Sequence, residues 1–194
     1  MDIIHYYMKE AAVHVLGPGT RYVLWTQGCQ KNCPGCIAGG THAVGDGKSI
    51  SARALAWEIA LSGAEGLTIS GGEPFLQAPA LAKLIRLVHK QRDMGVIVYT
   101  GYRYEDLPAL PGGGELLEQT DLLIDGEYIQ SLDDHQGLRG SSNQRVIPLT
   151  DRYQDFVNTY HTHPRQQEVF VHGTEVHETG LPGWRKYQEG DILP

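Results

Sequence analysis

Three closely spaced cysteines are the residues in this sequence best suited to carry chemistry. Cys29, Cys33 and Cys36 follow the pattern C-x3-C-x2-C and are the only cysteines among the 194 residues. Three thiols this close cannot pair off evenly as disulfides. Thiolates are soft ligands that bind iron–sulfur clusters, zinc or copper(I). A cube-shaped four-iron cluster usually takes four cysteines, so a cluster held here leaves one iron without a protein thiolate.

Residue types alone leave three interpretations of this cysteine loop, residues 26–36. A structural zinc site needs a fourth ligand, for which His42 is the nearest candidate. A catalytic cysteine needs a positioned base and gives no reason to group three thiols. An iron–sulfur cluster with one open iron fits the number of cysteines without a further ligand. An open coordination position is what lets a metal centre take part in a reaction.

A second candidate segment is Gly71-Gly72-Glu73, which follows a stretch typical of a buried strand, residues 66–70. Two glycines let the backbone approach a ligand closely, and the Glu73 carboxylate can accept hydrogen bonds from an ammonium group. The alternative is purely structural, a strand-to-helix turn in which the helix N-terminus favours the charge of Glu73.

Strand and helix patterns alternate along the elements that must position these residues. Strands are predicted over residues 21–27, 66–70, 95–100, 121–125 and 144–147, helices over 49–61 and 79–91, and an edge hairpin over 2–15. The alternation favours an α/β fold with a parallel sheet. Ligands bind beyond the carboxyl ends of parallel strands. We therefore expect the cysteines, Gly71-Gly72-Glu73, Thr100 and Asp125, each at a strand end, to meet at one site.

The chain is expected to divide near residue 149. Residues 1–149 carry the alternating strands and helices and form the core domain. Residues 150–194, here called the tail, are predicted to form a short helix and a small hairpin that pack on the core. The tail also holds four histidines, which we expect in exposed loop and hairpin positions: His161, His163, His172 and His177.

Composition excludes several classes of function. The formal net charge is −7 and no run of Lys and Arg stands out, so neither nucleic acid nor an anionic membrane is an expected partner. No apolar run approaches the ~20 residues of a membrane span. The N-terminal residues lack the pattern of a signal peptide. We therefore expect a cytoplasmic location, whose reducing conditions suit free thiols.

The chain resembles the small, single-cluster radical S-adenosylmethionine (SAM) enzymes over residues 5–149, and among them the activating proteins of anaerobic ribonucleoside-triphosphate reductases. The resemblance rests on motifs that occur in order: residues 17–21 (GPGTR), the cysteine loop with residues 33–36 (CPGC), residues 70–74 (SGGEP), residues 99–102 (YTGY), residues 121–126 (DLLIDG) and residues 139–144 (RGSSNQ).

This resemblance implies a fold and a set of site residues. The fold would be a partial (β/α)6 barrel, open on one side. Cys29, Cys33 and Cys36 would hold a 4Fe–4S cluster, whose open iron is chelated by the amino and carboxylate groups of SAM. The residues implied to contact SAM are Gly71, Gly72 and Glu73 beside the amino group, Gly35, Cys36 and Ile37 near the adenine, Asp125, Arg139, Ser141 and Asn143 toward the ribose and carboxylate, and Thr100.

The resemblance also implies a reaction and its partners. One electron from the reduced cluster splits SAM into methionine and a 5′-deoxyadenosyl radical, which abstracts a hydrogen atom from a substrate. The cofactors carry this chemistry, while the protein orients them and excludes water. The expected substrate is a glycyl-radical enzyme such as the large subunit of an anaerobic ribonucleotide reductase. The expected electron donor is a flavodoxin or ferredoxin.

Two departures from the pattern of these activating proteins leave the substrate open. Residues 37–40 (IAGG) follow the third cysteine, where the activating proteins have an aromatic residue or His and then Asn. The tail extends past the point where their pattern ends. A different glycyl-radical enzyme or a modified peptide is therefore an alternative substrate. An iron–sulfur electron carrier or redox sensor is the alternative without catalysis.

Overall fold

A computed structural model describes residues 2–183, and all statements about structure refer to them. The strands are β1 Ile3–Val13, β2 Arg21–Thr26, β3 Lys48–Ser51, β4 Gly66–Gly71, β5 Gly95–Thr100, β6 Leu122–Asp125, β7 Arg145–Pro148, β8 Gln167–His172 and β9 Glu175–Gly180. The helices are α1 Ala52–Leu61, α2 Ala78–His89, α3 Gly113–Leu117 and α4 Gln154–Thr159. No helix within this range is long and apolar enough to cross a membrane.

Seven strands form one mixed sheet in the order β3-β1-β2-β4-β5-β6-β7. β2, β4, β5 and β6 run parallel, while β1, β3 and β7 pair antiparallel with their neighbours. The α/β class with a largely parallel centre is confirmed. The described sheet contains four parallel strands, so the sixfold barrel repeat stays a prediction.

The N-terminal hairpin predicted over residues 2–15 is wrong. These residues form the single strand β1, which pairs with β2 on one side and β3 on the other. The alternation of buried and exposed residues is lost from Met8 onward. The register with β2 shifts between Tyr6 and Met8 and again between Glu10 and Val13, where Ala12 has a positive φ of 61°. The partners of β1 are therefore the next strand along the chain, β2, and the more distant β3, rather than a second half of residues 2–15.

Helices α1, α2 and α3 cover one face of the sheet. Apolar residues at helical spacing on α1 and α2 are buried against strand residues such as Leu24, Ile69 and Val98. The helix α1 begins at Ala52, later than the predicted residue 49, because Lys48–Ser51 form β3. The Ser51 hydroxyl caps it by accepting a hydrogen bond from the Ala54 amide at 3.2 Å. Both faces of the central strands are covered, which explains why these strands are almost continuously apolar.

The tail lies against the opposite face of the sheet. Phe170 of β8 packs near Val13 and Val23, and Tyr153 and Phe156 pack near Ile97, Leu122 and Ile124. Strands β8 and β9 form the antiparallel hairpin that the sequence predicts. The domain boundary at residue 149 stays a prediction, and residues 184–194 of the tail lie outside the described residues.

A buried arginine connects the parallel strands to the tail. The Arg21 guanidinium donates hydrogen bonds to the carbonyl oxygens of Leu67 at 2.6 Å and Gly95 at 3.1 Å. It also donates to the hydroxyls of Thr68 at 3.0 Å and Tyr153 at 2.6 Å. These acceptors lie on β4, on β5 and in the tail, so one side chain joins three parts of the fold.

Replacing this side chain by an apolar one of similar length, Arg21→Met, is expected to lower the free energy of unfolding by about 3 kcal/mol or more, because the buried acceptors lose their donor. Urea denaturation measures the change. The control is Arg53→Met on the exposed side of α1, where a change within about 0.5 kcal/mol is expected. Equal stability of the two variants would contradict the role given to Arg21.

Candidate active site

Parallel pairing of β2 with β4 brings the two candidate segments together. Thr26 lies opposite Gly71 in the register of this pair, so both segments leave the sheet at the same edge. The Gly72 amide donates to the Thr26 carbonyl at 2.8 Å, and the Glu73 amide donates to the Gly28 carbonyl at 2.8 Å. The cysteine loop and Gly71-Gly72-Glu73 therefore begin side by side, joined by backbone hydrogen bonds.

This close approach requires glycine at two positions. Gly71 has a φ of +101°, and a Cβ added to it would lie 2.4 Å from the Thr26 amide nitrogen. A Cβ added to Gly72 would lie 2.2 Å from the Gly28 carbonyl oxygen. Both contacts are with backbone, which cannot turn aside as a flexible side chain can. The two glycines thus set the distance between the segments.

The three cysteines are free thiols on one partly exposed loop. A turn between Cys33 and Cys36, closed by a backbone hydrogen bond of 3.1 Å, brings these two toward one another, and the Cys29 amide donates to the His42 carbonyl at 3.0 Å. Burial raises the pKa of the Cys33 and Cys36 thiols. A bound metal cation offsets this cost, because thiol ligands are deprotonated when they bind.

The geometry suits a cluster better than a single ion. Within residues 2–183, no three His, Cys, Asp or Glu side chains are grouped as ligands of one metal ion. Thiolates that bind different irons of a cluster lie farther apart than ligands that share one ion. Three free thiols on one glycine-containing loop at a cavity therefore fit a 4Fe–4S cluster with one open iron.

The cysteine loop opens onto a cavity of about 940 Å³. This volume is near the upper end of the ~300–1,000 Å³ typical of small-molecule sites. The predicted site residues that line it are Cys29, Cys33, Gly35, Cys36, Ile37, Gly71, Gly72, Glu73 and Thr100. The residues predicted near the amino group and the adenine are thus brought together around one space beside the cysteines.

Glu73 lines the cavity, as a ligand-binding residue would, and it also caps a short helix, as a strand-to-helix turn would require. Its buried carboxylate accepts hydrogen bonds from the Phe75 amide at 3.0 Å, the Thr100 hydroxyl at 2.8 Å and the Gly101 amide at 2.8 Å. The first of these caps the short 3-10 helix Pro74–Gln77. Burial raises the pKa of the Glu73 carboxyl. A carboxylate has about four acceptor positions, and these three donors occupy three of them.

The four residues predicted toward the ribose and carboxylate do not line the cavity. Asp125 is fully buried, and its carboxylate accepts from the Arg145 guanidinium and from the Tyr104 amide at 2.7 Å. Arg139 pairs with Asp134, and the Ser141 hydroxyl donates to Asn143 at 2.7 Å. Their neighbours Gly126, Gly140 and Gln144 line the cavity instead. A direct contact of these four residues with SAM stays a prediction. In the structure they lie beside the residues that line the cavity.

Sequence reasoning missed two groups of residues that line the cavity. Lys31 lies inside the cysteine loop, with its ammonium 2.9 Å from the Glu127 carboxylate and 4.2 Å from the centre of the Tyr102 ring. The position of this basic residue between Cys29 and Cys33 was a signal in the sequence that could have identified it as a site residue. The other group comes from the tail and includes Arg165 and Thr179. No local motif marks these tail residues.

Loss of any one cysteine is expected to prevent cluster assembly. Cys29→Ser, Cys33→Ser and Cys36→Ser should each retain far less iron and sulfide than the wild type after anaerobic reconstitution, because the chain has no spare thiol. Iron and sulfide analysis measures the result. His42→Ala is the control and should retain the wild-type iron content. Loss of metal in that variant would instead support the four-ligand zinc site.

The close approach of the two segments gives a second test. Gly72→Ala should weaken SAM binding by the reconstituted protein at least about tenfold, because the backbone of Gly28 must move away from a new Cβ. Equilibrium dialysis with labelled SAM measures the affinity. The control is Gly114→Ala in α3, where a Cβ meets no described atom within 4 Å, and its affinity should equal that of the wild type. Tight binding by Gly72→Ala would show that the spacing is unimportant.

Known proteins show which family has this arrangement. The family model of a 4Fe-4S single cluster domain matches residues 15–147. The chain is 32% identical over 145 residues to the anaerobic ribonucleoside-triphosphate reductase-activating protein of Enterobacteria phage T4, covering 71% of this chain and 89% of that one. The protein of the same name from Escherichia coli K12 is also 32% identical over 145 residues, covering 70% and 92%.

A further relative activates another enzyme. The pyruvate formate-lyase-activating enzyme of Staphylococcus epidermidis is 31% identical over 161 residues, which cover 78% of this chain and 63% of that one. The resemblance drawn from the cysteine loop and residues 70–74 is confirmed by these matches. The chain belongs to the 4Fe-4S single cluster domain family that includes these activating proteins, and it is a radical SAM enzyme whose cofactors are a 4Fe–4S cluster and SAM.

Proposed function

We propose that the chain activates a glycyl-radical enzyme by removing a hydrogen atom from a glycine of that protein, and that an anaerobic ribonucleotide reductase large subunit is the partner. The observation that carries the proposal is the single cavity on which the three-cysteine loop and Gly71-Gly72-Glu73 meet. The names of the relatives from phage T4 and Escherichia coli support the choice of partner.

The residues around the cavity have distinct tasks. Cys29, Cys33 and Cys36 hold the cluster. When bound, the cluster and SAM supply a 5′-deoxyadenosyl radical, with one electron from an external donor and methionine as the second product. Gly71 and Gly72 bring backbone groups beside the amino group of SAM, and the remaining acceptor position of Glu73 suits the same ammonium. Fixing the amino end of the cofactor beside the cysteine loop would orient it relative to the substrate.

The region around the cysteine loop suits contact with another protein. Ile37 is 56% exposed and Val44 is 72% exposed, and both follow the cysteines in sequence. Apolar side chains exposed beside a redox centre favour transient docking of a partner. We assign this surface to the glycyl-radical enzyme and to a flavodoxin- or ferredoxin-type donor in turn. The net charge of −7 supports the proposal that neither nucleic acid nor a membrane surface is a partner.

A second candidate function is modification of a different protein or peptide by the same radical. The tail favours it, because residues 150–194 lie beyond the matched residues 15–147 and the described part of the tail contributes to the cavity wall. A different substrate would require a different wall, while the cysteines and Gly71-Gly72-Glu73 would be unchanged.

The test is anaerobic turnover with and without the partner. The reconstituted protein with dithionite and SAM should form 5′-deoxyadenosine. Addition of an anaerobic ribonucleotide reductase large subunit should produce a glycyl-radical signal in electron paramagnetic resonance. A protein with a full cluster and no 5′-deoxyadenosine would contradict radical chemistry. 5′-Deoxyadenosine without a glycyl radical on this partner would favour the second candidate.

A further inference from the structure

The segment that follows β6 lies alongside the cysteine loop. The Glu127 carboxylate is 2.9 Å from the Lys31 ammonium, and a backbone hydrogen bond joins Tyr128 to the Cys33 thiol. Lys31 precedes Cys33 by two residues, so both contacts fall within the part of the loop that carries the cluster ligands. This segment, residues 127–130, is here called the clasp.

Close packing holds the clasp and the Lys31 side chain in place. A Cβ added to Gly35 would lie 2.8 Å from the Gln130 side chain, so a glycine lets the two segments touch. A Cβ added to Gly101 would lie 3.1 Å from Lys31 Cγ, and the ammonium is 4.2 Å from the centre of the Tyr102 ring. The ammonium is thus fixed between a carboxylate and an aromatic face, both of which attract a cation.

The two charges of this ion pair have different surroundings. Lys31 lines the active-site cavity and is 23% exposed, whereas Glu127 does not line it and is 54% exposed. The guanidinium of Arg165 also lines the cavity, but it is buried and paired with Asp133. Among the described residues that line the cavity, Lys31 is therefore the permanent cation nearest in sequence to the cluster ligands.

Both the ion pair and the clasp backbone act on a cluster ligand. Burial raises the pKa of the Cys33 thiol, the backbone hydrogen bond from Tyr128 opposes that rise, and the charge of Glu127 adds to it. Glu127 thus disfavours negative charge at Cys33, and Tyr128 favours it. Lys31 offsets the carboxylate of Glu127, because the two opposite charges are in direct contact.

Charge at this position bears on the first step of the reaction, in which an external donor gives one electron to the cluster. The cluster gains one negative charge in this step. The potential at which it does so depends on nearby charges and on hydrogen bonds to its sulfur atoms. A cation beside the ligands favours the reduced form, and an anion disfavours it.

We propose that the ion pair of Lys31 and Glu127 sets the reduction potential of the cluster. Lys31 raises this potential and Glu127 lowers it, so their balance decides how readily the electron of the donor enters. Both residues act through the cysteine ligands and are therefore positioning residues. The inference rests on the cluster alone and holds whichever protein is activated.

The test is an anaerobic redox titration of the reconstituted protein without SAM. Electron paramagnetic resonance measures the ratio of reduced to oxidised cluster at one fixed solution potential. Lys31→Met should lower this ratio about three- to tenfold, because a positive charge is lost, and tenfold corresponds to about 59 mV for one electron. Glu127→Gln should raise the ratio by a similar factor. The double variant should return to within about twofold of the wild type, since the two charges offset one another.

Opposite shifts of the two single variants separate an electrostatic role from a structural one. If the ion pair only held the loop, breaking it from either side would move the ratio in the same direction or leave it unchanged. Either result would overturn the inference. Iron and sulfide analysis shows that the compared variants carry equal amounts of cluster. If Lys31→Met assembles no cluster, Glu127→Gln decides alone, and a ratio that does not rise would overturn the inference.

The matched control is Lys9→Met. The Lys9 ammonium also pairs with a carboxylate, that of Glu58, lies 5.6 Å from the centre of the Tyr6 ring and is 24% exposed. It does not line the active-site cavity, so its ratio should equal that of the wild type. A shift as large as that of Lys31→Met would contradict a local effect. Failure to form a glycyl radical would contradict the proposed function but would leave these ratios unaffected.

Discussion

The active site depends on the parallel pairing of β2 with β4. Because Thr26 lies opposite Gly71, the two chain segments that carry the chemistry emerge from neighbouring strand ends in the same direction. Glycine at positions 71 and 72 then permits a backbone approach that any Cβ would block. The loop that carries the three thiols is held at its base by backbone hydrogen bonds to the segment that follows β4. A sheet stabilised by ordinary apolar burial thus brings the two candidate cofactor-binding segments together.

The two faces of the sheet have different functions. Helices α1, α2 and α3 cover one face and supply most of the buried apolar surface. The other face carries the cavity, and there the tail takes the place of further helices. Two buried arginines hold this arrangement, Arg21 through Tyr153 and Arg165 through Asp133. Radical chemistry needs a cavity from which water is excluded, and the tail covers the face of the sheet that the helices leave free.

Patterns local in sequence predicted much of this arrangement. Continuous apolar strands and the amphipathic α2 gave the parallel centre, and strand ends correctly grouped the cysteines with Gly71, Gly72 and Thr100. The features that local patterns do not show depend on residues distant in sequence. The Asp125 carboxylate forms an ion pair with Arg145 on the neighbouring antiparallel strand, and no local sequence pattern predicts this pair. Thr179 reaches the cavity only because the hairpin folds back across the sheet, which tertiary packing alone determines.

The central claim is that three thiolates leave one iron free for SAM. Mössbauer spectroscopy of protein reconstituted with ⁵⁷Fe tests it most directly, because the spectrum distinguishes iron atoms by their ligands. The account predicts that one iron of each cluster differs from the other three and that its signal alone shifts when SAM is added. Four irons that do not respond to SAM, or a fourth protein ligand on the cluster, would contradict it.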